Sequence, residues 1–192
     1  MSKLPLEFLQ KNNVQKIAQE LLGKIIYVNI NNHISSAIIT ETEAYQGPED
    51  KASHAYKNKR TQRTEVMYKE GGCCYIYLCY GIHYLFNIVT SKKDIPHAVL
   101  IRSGLVHSGS EYIQKRRGPN IPFSKLLHGP GNFSKGLGIN MALNGMQINN
   151  NSIWIEDNPN KYFLIESTQR VGIDYAEEDA LLPWRYILKN CT

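Results

Sequence analysis

Two pairs of apolar, β-branched and aromatic segments constrain what this chain can fold into more than any other feature. The first pair is IIYVNI and SSAIITETEAY, and the second is CCYIYLCY and YLFNIVTS. Only a few residues separate the members of each pair, and these include Asn or Gly, which favour tight turns. Such segments form antiparallel strands joined by a turn, so each pair predicts a β-hairpin.

The remaining apolar segments extend this pattern to a whole domain. Further strands are predicted from HAVLIRSG, SIWIED, YFLIESTQRVGI and PWRYIL. Helices are predicted from NNVQKIAQELLGK, SGSEYIQKRRG and GPGNFSKGLGIN. The chain has 192 residues without an internal repeat or a linker, which is typical of one domain. We therefore expect a single domain over residues 1–192, of mixed α/β (α+β) class, with a curved, mainly antiparallel β-sheet core and peripheral helices.

Composition and charge limit the cellular compartment and the kinds of binding partner that we expect. The net charge of +5 permits a polyanionic partner without requiring one. The cysteines, at positions 73, 74, 79 and 191, form no CxxC pair, so we expect reduced thiols and no zinc site. The chain shows no signal peptide and no apolar run long enough to span a membrane, so we expect a soluble, cytoplasmic protein.

The segment ETEAYQGPEDKASH, residues 41–54, is rich in carboxylates. Strand alternation places Ile39, Glu41, Glu43 and Tyr45 on one side of the predicted strand. This pattern suits a strand end that emerges into water. It also suits a strand that carries a glutamate up to a pocket, where the carboxylate activates water as a general base.

A metal site is an alternative use of the same segment. Glu49, Asp50 and His54 are close in sequence, which leaves a metal-dependent hydrolase as one hypothesis. The histidines show no paired ligand spacing, however, and these three residues lack further obvious partners. We predict no metal, and we expect Glu49 and Asp50 to face solvent or to cap the turn that follows.

The predicted strands carry further candidate site residues. Tyr80 lies at a hairpin tip, where it either packs on a neighbouring loop or inserts between stacked bases as a wedge. Tyr77 points to the opposite side and would line whatever lies beneath. Asn87 interrupts an apolar run, so its buried amide either ties the sheet to a loop or tests the edge of a ligand. Arg102 ends a strand, where it forms a surface ion pair or, near Glu43, helps to position a water.

Two basic segments, 57–63 and 115–117, flank the aromatic-rich centre and favour a phosphate-backbone partner. The Gly-Pro-Gly at 129–131 opens a predicted helix, whose N-terminus presents free backbone N–H groups to an anion. We predict weak phosphate contacts at Arg63 and Gly131. A nucleic-acid-binding module without catalysis would use the same basic loops and tyrosines but would not need Glu43.

The longer motifs resemble those of one known family. ETEAYQGPEDKASHA, YIYLCYGIHYLFNIV, AVLIR, GPG, GLGI, RVGI and PWRY occur in the order and spacing of the alkyladenine (3-methyladenine) DNA glycosylases. The resemblance runs from ELLGK near residue 20 almost to the C-terminus. It implies a hydrolase that flips a damaged purine out of duplex DNA and cleaves its N-glycosidic bond with water.

The resemblance implies a catalytic role for three residues. Glu43 matches the general base that activates the water, and Arg102 and the backbone of Val171 match groups that hold it. No lysine in these motifs is placed as a nucleophile. We therefore expect a monofunctional enzyme with no lyase step and no cofactor.

The resemblance also implies a base pocket. Tyr45 and His54 match the aromatic pair that sandwiches the flipped base, and Tyr77 forms a further wall. The backbone near Ala52 and His54 would read the base edge. Asn87 matches the residue that disfavours the 2-amino group of guanine.

The implied partner is double-stranded DNA that contains alkylated or deaminated purines. Extrusion of a base costs on the order of a few kcal/mol, and Tyr80 matches the wedge that fills the gap left in the stack. We expect no membrane partner, and a monomer acting on the duplex.

Overall fold

The computed structural model describes residues 2–158 and 164–189 of the chain. This part of the chain contains the β-strands β1 Ile25–Ile30, β2 His33–Gln46, β3 Cys74–Cys79, β4 His83–Thr90, β5 His97–Ser108, β6 Ile153–Glu156, β7 Leu164–Thr168 and β8 Arg185–Lys189. Its α-helices are α1 Leu6–Leu9, α2 Val14–Leu21, α3 Ser110–Arg117 and α4 Pro130–Leu137. Its 3-10 helices cover Tyr56–Asn58, Glu65–Tyr68, Phe123–Lys125, Met141–Leu143 and Asp174–Leu181. The expected mixed α/β class is confirmed.

Both predicted hairpins are present in one antiparallel sheet. β1 pairs with β2, and β3 pairs with β4. The sheet has the order β3-β4-β5-β2-β1-β6, and β8 joins β2 to β7. The first part of the 14-residue β2 pairs with β1, whereas residues 41–43 pair with β8. The sheet therefore divides along β2, and the carboxylates of the 41–54 segment begin where it divides.

A β-bulge in β2 reverses the side to which its residues point. The pairing of β2 with β5 shifts register between Ile39 and Glu41, and again between Glu41 and Thr42. Ile39 lies in the main hydrophobic core together with Ala44, not with Glu43. The prediction that Ile39 shares one side with Glu41 and Glu43 is therefore wrong. Alternation holds only along an uninterrupted strand, and a bulge inserts an extra residue.

The two sides of the sheet are covered differently. On one side, α2 and α4 pack on the strands and complete the main core, which includes Ile88 and Phe133. On the other side, residues 47–73 fold back over β3, β4 and β5 and bury a smaller cluster that includes Met67 and Tyr75. This second side leaves room for a cavity between the strands and the connection.

The connection between β2 and β3 is long and polar, as predicted, and it folds compactly. It begins at Gly47, where a Cβ would lie 2.7 Å from the Ser53 Oγ and 2.8 Å from the carbonyl oxygen of Pro96. Such a close approach favours glycine. Glu49 faces solvent, but Asp50 is only 2% exposed and accepts a hydrogen bond from the backbone N–H two residues later. Of the two expectations for Asp50, solvent exposure is wrong and capping is confirmed.

The remaining predictions concern thiols, a strand end and membrane contact. Cys73, Cys74 and Cys79 are free thiols, as expected. Cys191 and the first two residues of the predicted strand YFLIESTQRVGI lie outside the described residues. Within the described ranges, no helix has the length and apolar character needed to cross a membrane.

Candidate active site

A cavity of about 670 Å³ opens on the second side of the sheet. The connection 47–73, the start of α4 and residues 171–175 complete its wall. Every predicted site residue except Glu43 lines it: Tyr45, Ala52, His54, Arg63, Tyr77, Tyr80, Asn87, Arg102, Gly131 and Val171. The fold thus brings the candidate residues of widely separated motifs to one place.

Glu43 is fully buried, with 0% exposure, at the border of this cavity. Its Oε2 accepts a 2.7 Å hydrogen bond from the Tyr45 hydroxyl, and its Oε1 accepts a 2.9 Å bond from the N–H of Val171. The Arg102 Nη1 lies 3.3 Å from Oε1. Burial, with the nearby charge of Glu43, raises the pKa of Tyr45 well above its usual value, so this hydroxyl remains a donor. Three cavity-lining groups therefore fix the orientation of the carboxylate.

Glu41 holds Arg102 in this position, a role that the sequence did not predict. The Arg102 Nε donates to Glu41 Oε1 at 2.8 Å, while its Nη1 faces Glu43. Arg185 of β8 donates to Glu41 Oε1 at 2.6 Å, and Ser103 donates to Oε2 at 2.6 Å. Burial alone would raise the pKa of Glu41, but the hydrogen bond from Ser103 and the charge of Arg102 outweigh it and lower the pKa. Arg102 is thus shared between two carboxylates.

Arg170 packs against Tyr45 without lining the cavity. Its guanidinium Cζ lies 4.8 Å from the centre of the Tyr45 ring and 5.1 Å from that of Trp184. Arg170 forms a two-point ion pair with Asp50, in which both side chains are fully buried. Because the next residue along the chain is Val171, this ion pair also places the N–H that reaches the buried carboxylate.

The hypothesis of a metal site gains no support from this arrangement. Asp50 contacts Arg170 through both carboxylate oxygens, and the His54 Nδ1 lies 2.8 Å from the Tyr75 hydroxyl. Within residues 2–158 and 164–189, no group of three or more His, Cys, Asp or Glu side chains could hold a metal ion.

His54 enters the cavity as a neutral ring at physiological pH. Burial, followed by the charges of Arg63 and Lys59, lowers its pKa to about 4. The Arg63 Nη2 lies 3.3 Å from His54 Nε2, so Nε2 accepts and the ring proton sits on Nδ1, which donates to Tyr75. The ring centres of His54 and Tyr77 are 4.7 Å apart, with the planes at 76°. These rings form one wall of the cavity.

Polar groups of Asn87 and Ala52 form hydrogen bonds within the protein. The buried Asn87 donates from Nδ2 to the carbonyl of Tyr75 at 3.2 Å, and it also lines the cavity. The hydrogen bond joins two paired strands, so the predicted tie between the sheet and a loop is wrong, and the testing of a ligand edge by Asn87 stays a prediction. The N–H of Ala52 donates to a buried carboxylate of its own turn, and its carbonyl accepts from the Tyr175 hydroxyl at 3.3 Å. Reading of a base by the backbone near His54 stays a prediction.

Tyr80 lies at the tip of the β3–β4 hairpin and is 91% exposed. The turn is formed by positive φ angles of 49° at Tyr80 and 72° at Gly81. Ile82, on the same tip, is also exposed. The Tyr80 ring therefore projects from the cavity mouth rather than packing into a neighbouring loop.

The Gly-Pro-Gly turn at 129–131 begins α4 at the cavity edge. The N–H of Gly129 donates to the Ser103 Oγ at 3.0 Å, so this N–H already has a partner on β5. A Cβ on Gly131 would lie 2.7 Å from His83 Cγ, so glycine allows this turn to approach the histidine ring. Gly131 lines the cavity, and a phosphate contact there stays a prediction.

Comparison with known proteins identifies the family of the chain. The family profile described as Methylpurine-DNA glycosylase matches residues 7–192. The chain belongs to the methylpurine-DNA glycosylase family. It is therefore a DNA glycosylase, a hydrolase of DNA repair, as the resemblance of the motifs implied.

Relatives of this methylpurine-DNA glycosylase are similar to it over nearly its whole length. A Chlamydia abortus protein is 44% identical over 188 residues, which are 96% of this chain and 97% of the relative. A Natranaerobius thermophilus protein is 44% identical over 193 residues, which are 98% of this chain and 96% of the relative. A Clostridium perfringens protein is 38% identical over 198 residues, and the match covers 98% of this chain and 96% of the relative. All three are provisionally named 3-methyladenine DNA glycosylase.

Several residues that support the glycosylase site were missed by the sequence analysis. Glu41, Arg170 and Arg185 are charged residues within predicted strands, and each also belongs to one of the quoted motifs, although no role was assigned to any of them. A charge inside a strand of a packed sheet needs a partner, and this was the signal that could have identified them. Their partners, however, lie far away in sequence.

Proposed function

We propose that this methylpurine-DNA glycosylase removes alkylated and deaminated purines from double-stranded DNA by hydrolysis, as a monofunctional enzyme without a cofactor. The observation that carries the proposal is the buried Glu43 carboxylate, which three donors hold at the border of an aromatic-lined cavity. The proposal includes action as a monomer on the duplex.

Glu43 acts as the general base for an attacking water. The water oxygen bonds to C1′ of the target nucleotide as the C1′–N9 bond breaks, and the electron pair of that bond leaves with the purine. Glu43 accepts the proton that the water loses. Arg102 and the N–H of Val171, which contact the same carboxylate, help to hold the water. The described residues that line the cavity include no lysine, which favours attack by water over attack by an amine.

The flipped base lies between the rings of Tyr45, His54 and Tyr77. Stacking on aromatic rings contributes roughly 1–3 kcal/mol per base and tolerates different purines. A purine nucleotide methylated at N3 or N7 is a cation, and a neutral His54 adds no repulsion against it. Tyr80 fills the gap in the stack and so offsets part of the cost of extrusion, which is on the order of a few kcal/mol.

The substitution Glu43→Gln tests the catalytic role directly. Base release is measured from duplexes that each carry one 7-methylguanine, hypoxanthine or ethenoadenine. We expect release to fall by roughly 10²–10⁴-fold, the usual contribution of a general base, while binding to the same duplexes survives. Release at the wild-type rate would show that the mechanism is wrong.

Two controls accompany this experiment. Glu49→Gln removes an exposed carboxylate from the same segment, and we expect it to leave release within about twofold of wild type because Glu49 does not line the cavity. Release is also measured in a strong chelator, where we expect full activity. Loss of activity in chelator that returns with added metal would instead favour the metal-dependent alternative.

A further inference from the structure

Arg63 reaches from the exposed connection into the cavity. Its guanidinium Cζ lies 4.7 Å from the centre of the Tyr77 ring, and its Nη2 donates to His54 Nε2 at 3.3 Å. It therefore contacts two of the three rings that we propose to hold the base. A guanidinium over an aromatic ring is a cation–π contact. The aromatic surface that would attract a cationic base is therefore already in contact with the positive charge of Arg63.

The positive charge of Arg63 is not balanced by a nearby carboxylate. Arg60 is paired with Glu65, and Arg102 is paired with Glu41, whereas no described carboxylate lies within ion-pairing distance of Arg63. The charge also acts on the cavity, because after burial it is the largest cause of the lowered pKa of the cavity histidine. Any base in the cavity is exposed to the same charge.

We propose that Arg63 determines which damaged purines the cavity accepts, because its charge disfavours bases with a fixed positive charge relative to neutral bases. This inference rests on the proposed function, since it concerns the base held by Tyr45, His54 and Tyr77. A purine methylated at N7 is a cation, and it meets a like charge within the same cavity. Hypoxanthine, a deaminated purine, is neutral and meets no such repulsion.

The substitution Arg63→Gln tests the inference. Single-turnover base release is measured from two matched duplexes, with 7-methylguanine or hypoxanthine opposite cytosine. We expect the ratio of the 7-methylguanine rate to the hypoxanthine rate to rise roughly fivefold over wild type, which corresponds to about 1 kcal/mol for an exposed cation–π contact. The change in the ratio between wild type and Arg63→Gln, rather than either rate, reports on charge in the cavity, because the 2-amino group of guanine is present in both measurements.

Two control variants separate charge in the cavity from charge on the surface. Arg63→Lys keeps the positive charge, and with it the repulsion of a cationic base, so the ratio should stay within about twofold of wild type. Lys57→Gln removes a charge from the same connection, but Lys57 packs on Tyr56 and does not line the cavity. It should slow release of both bases by the same factor, as loss of a contact to the DNA backbone does.

The outcomes distinguish this inference from the proposed function. If Arg63→Gln slows release of both bases equally, Arg63 is a phosphate contact only and the inference is overturned, while the proposed function stands. If the wild-type protein releases neither base, the proposed function fails and the inference fails with it. Binding of the same duplexes by Glu43→Gln proteins, with and without Arg63→Gln, must show the same change of ratio. A change confined to the rates would place Arg63 outside base selection.

Discussion

Asn87 shows how a single buried amide can serve both the sheet and the cavity. Its Nδ2 donates to the carbonyl of Tyr75 across the β3–β4 pair, which fixes the orientation of the side chain. The same side chain lines the cavity wall. A fixed polar group next to a bound base discriminates strongly, because a base that fits it poorly leaves buried polar atoms unpaired. The 2-amino group of guanine is the group that Asn87 is proposed to disfavour.

Asn87→Ser should widen the tolerance for guanine lesions. We expect release of 7-methylguanine relative to hypoxanthine to rise by roughly tenfold, because the shorter side chain removes the conflict with the 2-amino group. The matched control is Asn144→Ser. It removes an amide that accepts from the N–H of Ile76 on the same hairpin without lining the cavity. Discrimination that is unchanged in Asn87→Ser, or changed equally in both variants, would reject the role of Asn87.

At the scale of the element, the β3–β4 hairpin connects the core, the cavity and the exposed tip. Ile76 lies in the main core, whereas Tyr75 and Tyr77 face the cavity side. Alternate residues of β3 therefore pack on both sides of the sheet and hold the hairpin in place. The strands remain paired up to Cys79 and His83. The tip is therefore held by ordered strands close to its end, which suits a residue that must penetrate a base stack.

Tyr80→Ala tests the hairpin tip as a wedge. We expect binding to lesion-containing duplex to weaken by roughly 10- to 100-fold, in line with about 1–3 kcal/mol of lost stacking. Release of the same base from a single strand should change much less, because no gap in a duplex needs filling. Ile82→Ala, on the same exposed tip, serves as the control for loss of apolar surface. Equal losses on duplex and single strand would exclude the wedge role.

At the scale of the whole molecule, the Arg170–Asp50 ion pair joins the two parts of the chain that build the cavity. Asp50 belongs to the connection that follows β2, and Arg170 lies beyond β7. Arg170 also donates to the carbonyl of Ala44 at 2.9 Å and packs on Trp184. A buried ion pair adds little stability relative to an apolar pair, but loss of one partner leaves an uncompensated buried charge.

Asp50→Ala should therefore destabilise the protein by about 3–5 kcal/mol, measured as the free energy of unfolding in denaturant. The exposed pair of Arg60 and Glu65 provides the control, since Glu65→Gln should cost at most about 1 kcal/mol. An Asp50→Ala protein as stable as the Glu65→Gln protein would show that the ion pair does not hold the two parts together.

The two hairpins and many of the residues that line the cavity could be predicted from the amino-acid sequence. The β1–β2 and β3–β4 hairpins were predictable because apolar alternation and turn residues act between neighbours in the chain. Most cavity residues received their roles through motifs that resemble a known family, whereas Arg63 and Gly131 were predicted from a basic segment and a Gly-Pro-Gly turn. Strand alternation alone left two interpretations of Glu43, a strand end in water or a catalytic carboxylate. It also did not predict the β-bulge that places Ile39 on the opposite side of the sheet.

The contacts that hold the site in place could not be predicted, because they join residues that are far apart in the chain. The pairing of β2 with β8 brings Arg185 to Glu41 across 144 positions of the chain. The ion pair between Asp50 and Arg170 spans 120 positions. Periodicity reports the local backbone and carries no information about such distant partners. These contacts form only when the sheet has assembled and water has been excluded, since a buried charge is then stable only beside its opposite.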